Sequence, residues 1–208
     1  MLIPATAGLI VLCLGALTPA HAQPDTLPLR HVVRPGRVEI GWPDLSRIEI
    51  ASAYGYVSGQ RFVLRGVADV EQHVFVVSDS IGLVRRLLWI QVEHYLPTAS
   101  GTYDYDQDSS VAVAGLTLRF SRRQYSAPPD ATSDRGALYE LLRRAGLTPP
   151  VRAERVRWVK LSADRRSEIM IIHAEVIPSS SESTDATAAS ERLARAQESF
   201  RLVRRSEP

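Results

Sequence analysis

Between residues 73 and 96 two runs with a two-residue rhythm are joined by a five-residue polar link, which narrows the choice of fold sharply. His73-Val74-Phe75-Val76-Val77 is rich in β-branched and aromatic side chains. Ser78-Asp79-Ser80-Ile81-Gly82 has a turn composition, and Leu87 to Leu96 is a second strand-like run. Two such runs across a short Asp/Ser/Gly link predict an antiparallel hairpin. Successive side chains of a strand point to opposite sides. Leu88, Ile90, Val92, His94 and Leu96 therefore share one face, and Trp89, Gln91, Glu93 and Tyr95 the other.

The rhythm recurs along the chain. Ile48, Ile50, Ser52, Tyr54 and Tyr56 alternate in one predicted strand, with Gly55 and Gly59 marking a bend or turn. Arg61 to Val67 and Val70 to Val77 are further apolar-rich runs. Val111 to Phe120 alternates through Ala112, Ala114, Leu116, Leu118 and Phe120. Val156 to Leu161 and Glu168 to Ile177 form a second predicted hairpin across Ser162 to Ser167.

Helical spacing occurs twice. Ser133 is a suitable N-cap for a helix whose stripe is Leu138, Leu141, Leu142 and Ala145, and Gly146 and Pro149-Pro150 stop it. Ala188 to Arg204 aligns Leu193, Ala196, Phe200 and Val203. The expectation is an α+β fold: an antiparallel sheet of about seven strands, with a helix at 133–146 and a C-terminal helix packed on one face.

The ends of the chain read differently. Residues 7 to 17 are an uninterrupted apolar run, broken by Thr18-Pro19 and followed by Ala20-His21-Ala22. That is the pattern of a cleavable signal peptide over residues 1–22. A membrane span needs about 20 apolar residues, so no transmembrane span is expected after cleavage. The segment before the run has no Lys or Arg, a departure from the usual pattern. The expected location is periplasmic or secreted. Cys13 is the only cysteine and lies in the removed segment, so the mature chain would be free of disulfides and thiol chemistry. Residues 23–177 are read as a single domain with an extended lead-in over 23–36. Residues 178–187, rich in Ser, Thr and Ala, read as a flexible linker, and 188–208 as the C-terminal helix, docked on the domain.

Net charge is +2, but the halves differ. Residues 23–110 carry 8 Arg against 11 Asp and Glu, and residues 111–208 carry 17 Arg and Lys against 12. Lys160 is the sole lysine, and the Arg pairs are dispersed. A nucleic-acid surface would interleave such a patch with exposed aromatics. Only Trp158 lies in the densest basic stretch, so no nucleic-acid partner is expected.

Three places offer chemistry. Trp89, Gln91, Glu93 and Tyr95, together with Tyr54 and Tyr56, mix aromatic and polar groups as a ligand groove does. His73, His94 and His173 each lie in a predicted strand and would ligate a transition metal if they converged. Asp104, Asp106 and Asp108 space three carboxylates two apart, as calcium requires, but without the Gly and Glu of an EF-hand loop. No G-x-S-x-G, H-E-x-x-H, C-x-x-C or phosphate-binding glycine loop is present. The sequence thus points to an exported accessory or binding protein that takes a peptide, a protein or a small apolar ligand on a sheet face. The alternatives are a metal-dependent hydrolase on the strand histidines and a calcium-stabilised envelope module.

Overall fold

In a computed structural model, residues 27–178 and 186–205 are described. The signal peptide and most of the 178–187 linker lie outside them. The fold is α+β, with two antiparallel sheets and two helices. In chain order the strands are β1 (Val32–Arg34), β2 (Arg37–Glu39), β3 (Leu45–Ile50), β4 (Gly55–Leu64), β5 (Ala68–Ser78) and β6 (Val84–Tyr95). They continue with β7 (Ser109–Val113), β8 (Leu116–Tyr125), β9 (Ala153–Leu161), β10 (Ser167–Val176) and β11 (Phe200–Arg204). Helix α1 (Asp134–Arg144) precedes β9, and α2 (Ala186–Glu198) precedes β11.

The larger sheet has seven strands in the order β4-β5-β6-β10-β9-β8-β7, and the smaller has four in the order β1-β2-β3-β11. The two predicted hairpins, β5-β6 and β9-β10, lie side by side at the centre. One face of the large sheet, with Phe75, Leu88, Ile90, Val92, Val156, Trp158, Ile169 and Ile171, packs on Val38, Ile48, Ile50, Phe200 and Leu202 of the small sheet. The other face, with Val74, Leu87, Trp89, Val159 and Ile172, packs on Leu138, Leu141 and Leu142 of α1. Ser133 caps α1, its hydroxyl accepting the Gly136 N–H at 3.0 Å. Helix α2 lies on the opposite face from α1. It is held by Arg192 Nε donating to Glu154 at 2.7 Å and by Arg195 pairing with Glu175 at 2.8 Å.

Three predicted elements differ in extent. The strand expected over 48–56 ends at Ile50, where the chain turns to start β4 at Gly55. The run 111–120 is a tight hairpin, because Ala114 and Gly115 both take left-handed φ (50° and 75°) between β7 and β8. This turn pairs Val113 with Leu116 and puts Val111, Val113, Leu116 and Leu118 on the buried side, where an unbroken strand would have opposed them. The C-terminal helix stops at Glu198. The last five residues of its predicted span pair as β11 with β3, since Phe200 and Leu202 face the core while Arg201 is exposed. The lead-in also carries a small hairpin, β1-β2, turning at Gly36 (φ 69°).

Candidate functional site

The large sheet buries polar groups on both faces, with different results. On the α1 face, Gln60, Gln72 and Gln91 are cross-strand partners on β4, β5 and β6. Gln60 Nε2 donates to Gln72 Oε1 at 2.8 Å, and Gln72 Nε2 to Gln91 Oε1 at 2.7 Å. Gln91 Nε2 then donates to Glu93 Oε2 at 2.8 Å, and the Tyr103 hydroxyl donates to Glu93 Oε1 at 3.0 Å. Glu93 faces Glu168 directly across β6 and β10. Burial and the neighbouring Glu93 charge push the Glu168 carboxyl up to about 8. Burial raises Glu93 as well, against the hydrogen bonds from Gln91 and Tyr103. Oε2 of Glu168 is buried without a hydrogen-bond partner, and two opposed buried carboxyls do not both ionise readily.

This track contains three of the six groove residues predicted from the sequence, and it is sealed. Trp89, Gln91 and Glu93 are 1%, 0% and 7% exposed. Helix α1 covers them, its Asp134 within hydrogen-bonding reach of Gln72 and Gln91. The three share one face as their alternation requires, but a polar face is open only if nothing packs on it. Tyr95 is half-buried against Tyr103, at 4.5 Å between ring centroids. Tyr54 lies on the other face, hydrogen-bonded to His173 Nε2 at 2.8 Å and with burial pushing its hydroxyl up to about 12. Tyr56 is exposed beside Phe75. The six therefore form no common surface.

The three strand histidines all project from the face toward the small sheet, on neighbouring strands. The register keeps them apart: His73 is opposite Ile90, His173 is opposite Leu88, and His94 lies four residues beyond Ile90. His173 is bonded to Tyr54, and burial then the charges of Arg86 and Arg195 lower it to about 4. His94 Nδ1 is 2.8 Å from Ser167 Oγ. His73 Nε2 is 2.8 Å from Glu71 Oε1. Nor do the aspartates form a cation cage. Asp104 and Asp106 are paired with Arg165, Asp106 also with Arg119, and Asp108 with Arg157.

What the structure does assemble is an open groove at one end of the interface between the sheets. It measures about 460 Å³ and is lined by Trp42, Pro43 and Asp44 from the β2–β3 connection, by His94, and by Lys160 to Ala163 and Ser167 around the β9–β10 turn. The Trp42 indole stacks on the His94 ring at 6.4 Å with 24° between planes. Lys160 Nζ pairs with Asp44 at 3.0 Å. Burial, then the charge of Arg30, lowers His94, which favours the neutral imidazole bonded to Ser167. A second groove of about 550 Å³ lies between β7 and α2, lined largely by apolar groups including Phe120, Trp158, Leu193 and Phe200. It lacks convergent polar groups.

Behind His94, deeper along the same face, sits a compact charged cluster. Asp69, the cross-strand partner of His94, takes a two-point bond from Arg61 at 2.8 and 2.6 Å and a further contact from Arg30 at 2.8 Å. Two residues on, Glu71 accepts the backbone N–H groups of Arg30 and His31 at 2.8 and 2.9 Å, besides the His73 ring. Burial alone would raise Glu71. The His31 ring close by, the hydrogen bond from His73 and these backbone amides outweigh it and hold the carboxylate well below its usual range. Gly59, opposite His73 on β4, makes room for the lead-in. A Cβ there would fall 2.9 Å from Leu29 Cδ1 and 3.0 Å from His73 Nδ1.

Sequence reasoning missed Trp42, Ser167, His31 and Glu71. Glu71 carried one usable signal, since Glu-x-His on a strand places both side chains on one face. His31 carried none, because it lies in the lead-in and meets Glu71 only through the tertiary fold. Among the described residues no helix is long and apolar enough to cross a membrane. No protein family, curated protein or solved structure matches this chain.

Proposed function

We propose that this chain is an exported binding protein that holds a small ligand, with an apolar body and a hydrogen-bonding end, in the Trp42 groove. The carrying observation is that His94, Ser167, Ser162 and the Lys160–Asp44 pair line one opening together with Trp42, Pro43 and Leu161. Its volume falls within the roughly 300–1,000 Å³ of ordinary ligand pockets, and a few polar groups on apolar walls is the composition such pockets use. Export is supported by the apolar run at 7–17 and the Ala20-His21-Ala22 sequence after it. The opposite charges of Lys160 and Asp44 suit a peptide-like ligand that carries both donors and acceptors.

Tryptophan emission provides the test. Of the three tryptophans, Trp89 is buried under α1, Trp158 is buried between the sheets beside the second groove, and Trp42, in the same core as Trp158, is the one that lines the first groove. Protein recovered from the extracytoplasmic fraction should begin at Gln23. Titrating it with dipeptides and aliphatic and aromatic acids should give a saturable change that Trp42→Ala abolishes. A full-length N-terminus, or no saturable binder and no co-purifying ligand by native mass spectrometry, would refute the proposal.

A further inference from the structure

We propose that His31, Glu71 and His73 form a site for a divalent transition metal of the zinc class, which clamps the lead-in onto the middle of β5. The inference is independent of the groove. Among the described residues this is the one trio of metal-ligating side chains whose donor atoms all lie within 4.8 Å of one another. His73 Nε2 and His31 Nδ1 are 2.8 and 3.1 Å from the same oxygen, Glu71 Oε1. Around a tetrahedral centre with metal–ligand bonds near 2.0–2.1 Å, neighbouring donors sit about 3.3 Å apart. The two histidine–carboxylate separations are within about half an ångström of that spacing, and closing the two rings from within 4.8 Å of one another would complete the set.

The hydrogen-bond count points the same way. Glu71 Oε1 already accepts the His31 backbone N–H at 2.9 Å and the His73 ring at 2.8 Å. Those two donors fill its lone pairs. His31 Nδ1, aimed at the same atom, is buried and makes no hydrogen bond of acceptable geometry. A cation between the rings would give that nitrogen a partner and turn a crowded acceptor into a ligand. Two imidazoles and one carboxylate select Zn²⁺, Ni²⁺, Co²⁺ or Cu²⁺ over Ca²⁺ and Mg²⁺, which prefer oxygen alone. The carboxylate is held in place from behind by the Arg30 N–H on Oε2 at 2.8 Å, the kind of outer support that metal ligands use.

The recess that His31 and Glu71 line together with Arg30, Arg61, Asp69 and His94 is too small to hold a water. A substrate could not reach the ion, so its role is structural. His31 precedes β1, and the lead-in is otherwise tied down by the bonds of Arg30 and His31 to Glu71, of Leu27 N–H to the Arg61 carbonyl at 2.8 Å, and of Arg61 to Pro28. Metal binding would add a covalent-strength link between this segment and the sheet.

The test uses the mature chain, stripped with EDTA and then titrated with Zn²⁺ and Co²⁺ alone. One equivalent of Zn²⁺ per chain is expected. At a hundredfold excess over Kd, Tm should rise by about 5–10 °C, while Ca²⁺ and Mg²⁺ leave it unchanged. His31→Ala, which lies outside both sheets, should keep the native near-UV spectrum and lose the shift. Glu71→Gln, which keeps the acceptor oxygen, should weaken binding at least tenfold. Absence of stoichiometric zinc, or a zinc-dependent shift undiminished in His31→Ala, would overturn the assignment.

Discussion

Glu71 on β5 and Glu168 on β10 occupy the two strands that flank β6, and they are buried alike, at 3% and 1% exposed. They point to opposite faces of the sheet and differ in charge. Glu71 meets donors: two backbone N–H groups and the His73 ring. Glu168 meets another carboxyl, Glu93, and holds its proton to about pH 8. The difference shows that burial sets only the cost of ionising, while neighbours decide whether the cost is met. It also sorts the two faces by role. The ionised group lies behind the open groove among His31, His73 and His94. The protonated one lies in a track closed by α1 and Tyr103, where it serves cohesion of the fold.

Removing the ionised member breaks this comparison most severely. Glu71→Ala would leave two part-buried backbone N–H groups and a buried imidazole without an acceptor. The expected loss is roughly 3–5 kcal/mol in urea unfolding, with the lead-in released first. A loss below 1 kcal/mol would mean that water reaches the cluster.

The protonated member should respond in the opposite sense. Its folded pKa lies above the unfolded value of 4.5. The folded state therefore binds the proton more tightly, and the stability from this group is full below about pH 4.5. It is lost as pH rises to about 8. Glu168→Gln should flatten that part of the pH–stability curve. Above pH 8 it should make the protein more stable than wild type by several kcal/mol, about 5 at most. An unchanged slope would place the titration on another group.

The central hairpins and α1 were legible because pattern and packing agree there. Ser133 caps where it should, and β5-β6 and β9-β10 pair as their alternation requires. Elsewhere the failures have definite causes. Ala114-Gly115 preserves the two-residue rhythm through a turn that reverses the chain. Phe200 and Leu202 fit a helical stripe and a strand equally well, and pairing with β3 decides for the strand. The site was least legible. Composition places Gln91 and Glu93 on a polar face, but only the docking of α1 shows that face to be closed. The Trp42 groove joins three segments separated in sequence by about 50 residues or more, and no local pattern encodes such a meeting.

The most direct measurement is a ¹³C titration of the Glu168 side-chain carboxyl in the folded protein, assigned by its loss in Glu168→Gln. If burial sets the cost of ionising and neighbours decide whether it is met, Glu168 titrates at about 8 and moves down, but stays above the ordinary carboxylate range, when Glu93 is replaced by Gln. A midpoint near 4.5 in the wild type, or one that ignores Glu93→Gln, would contradict that account.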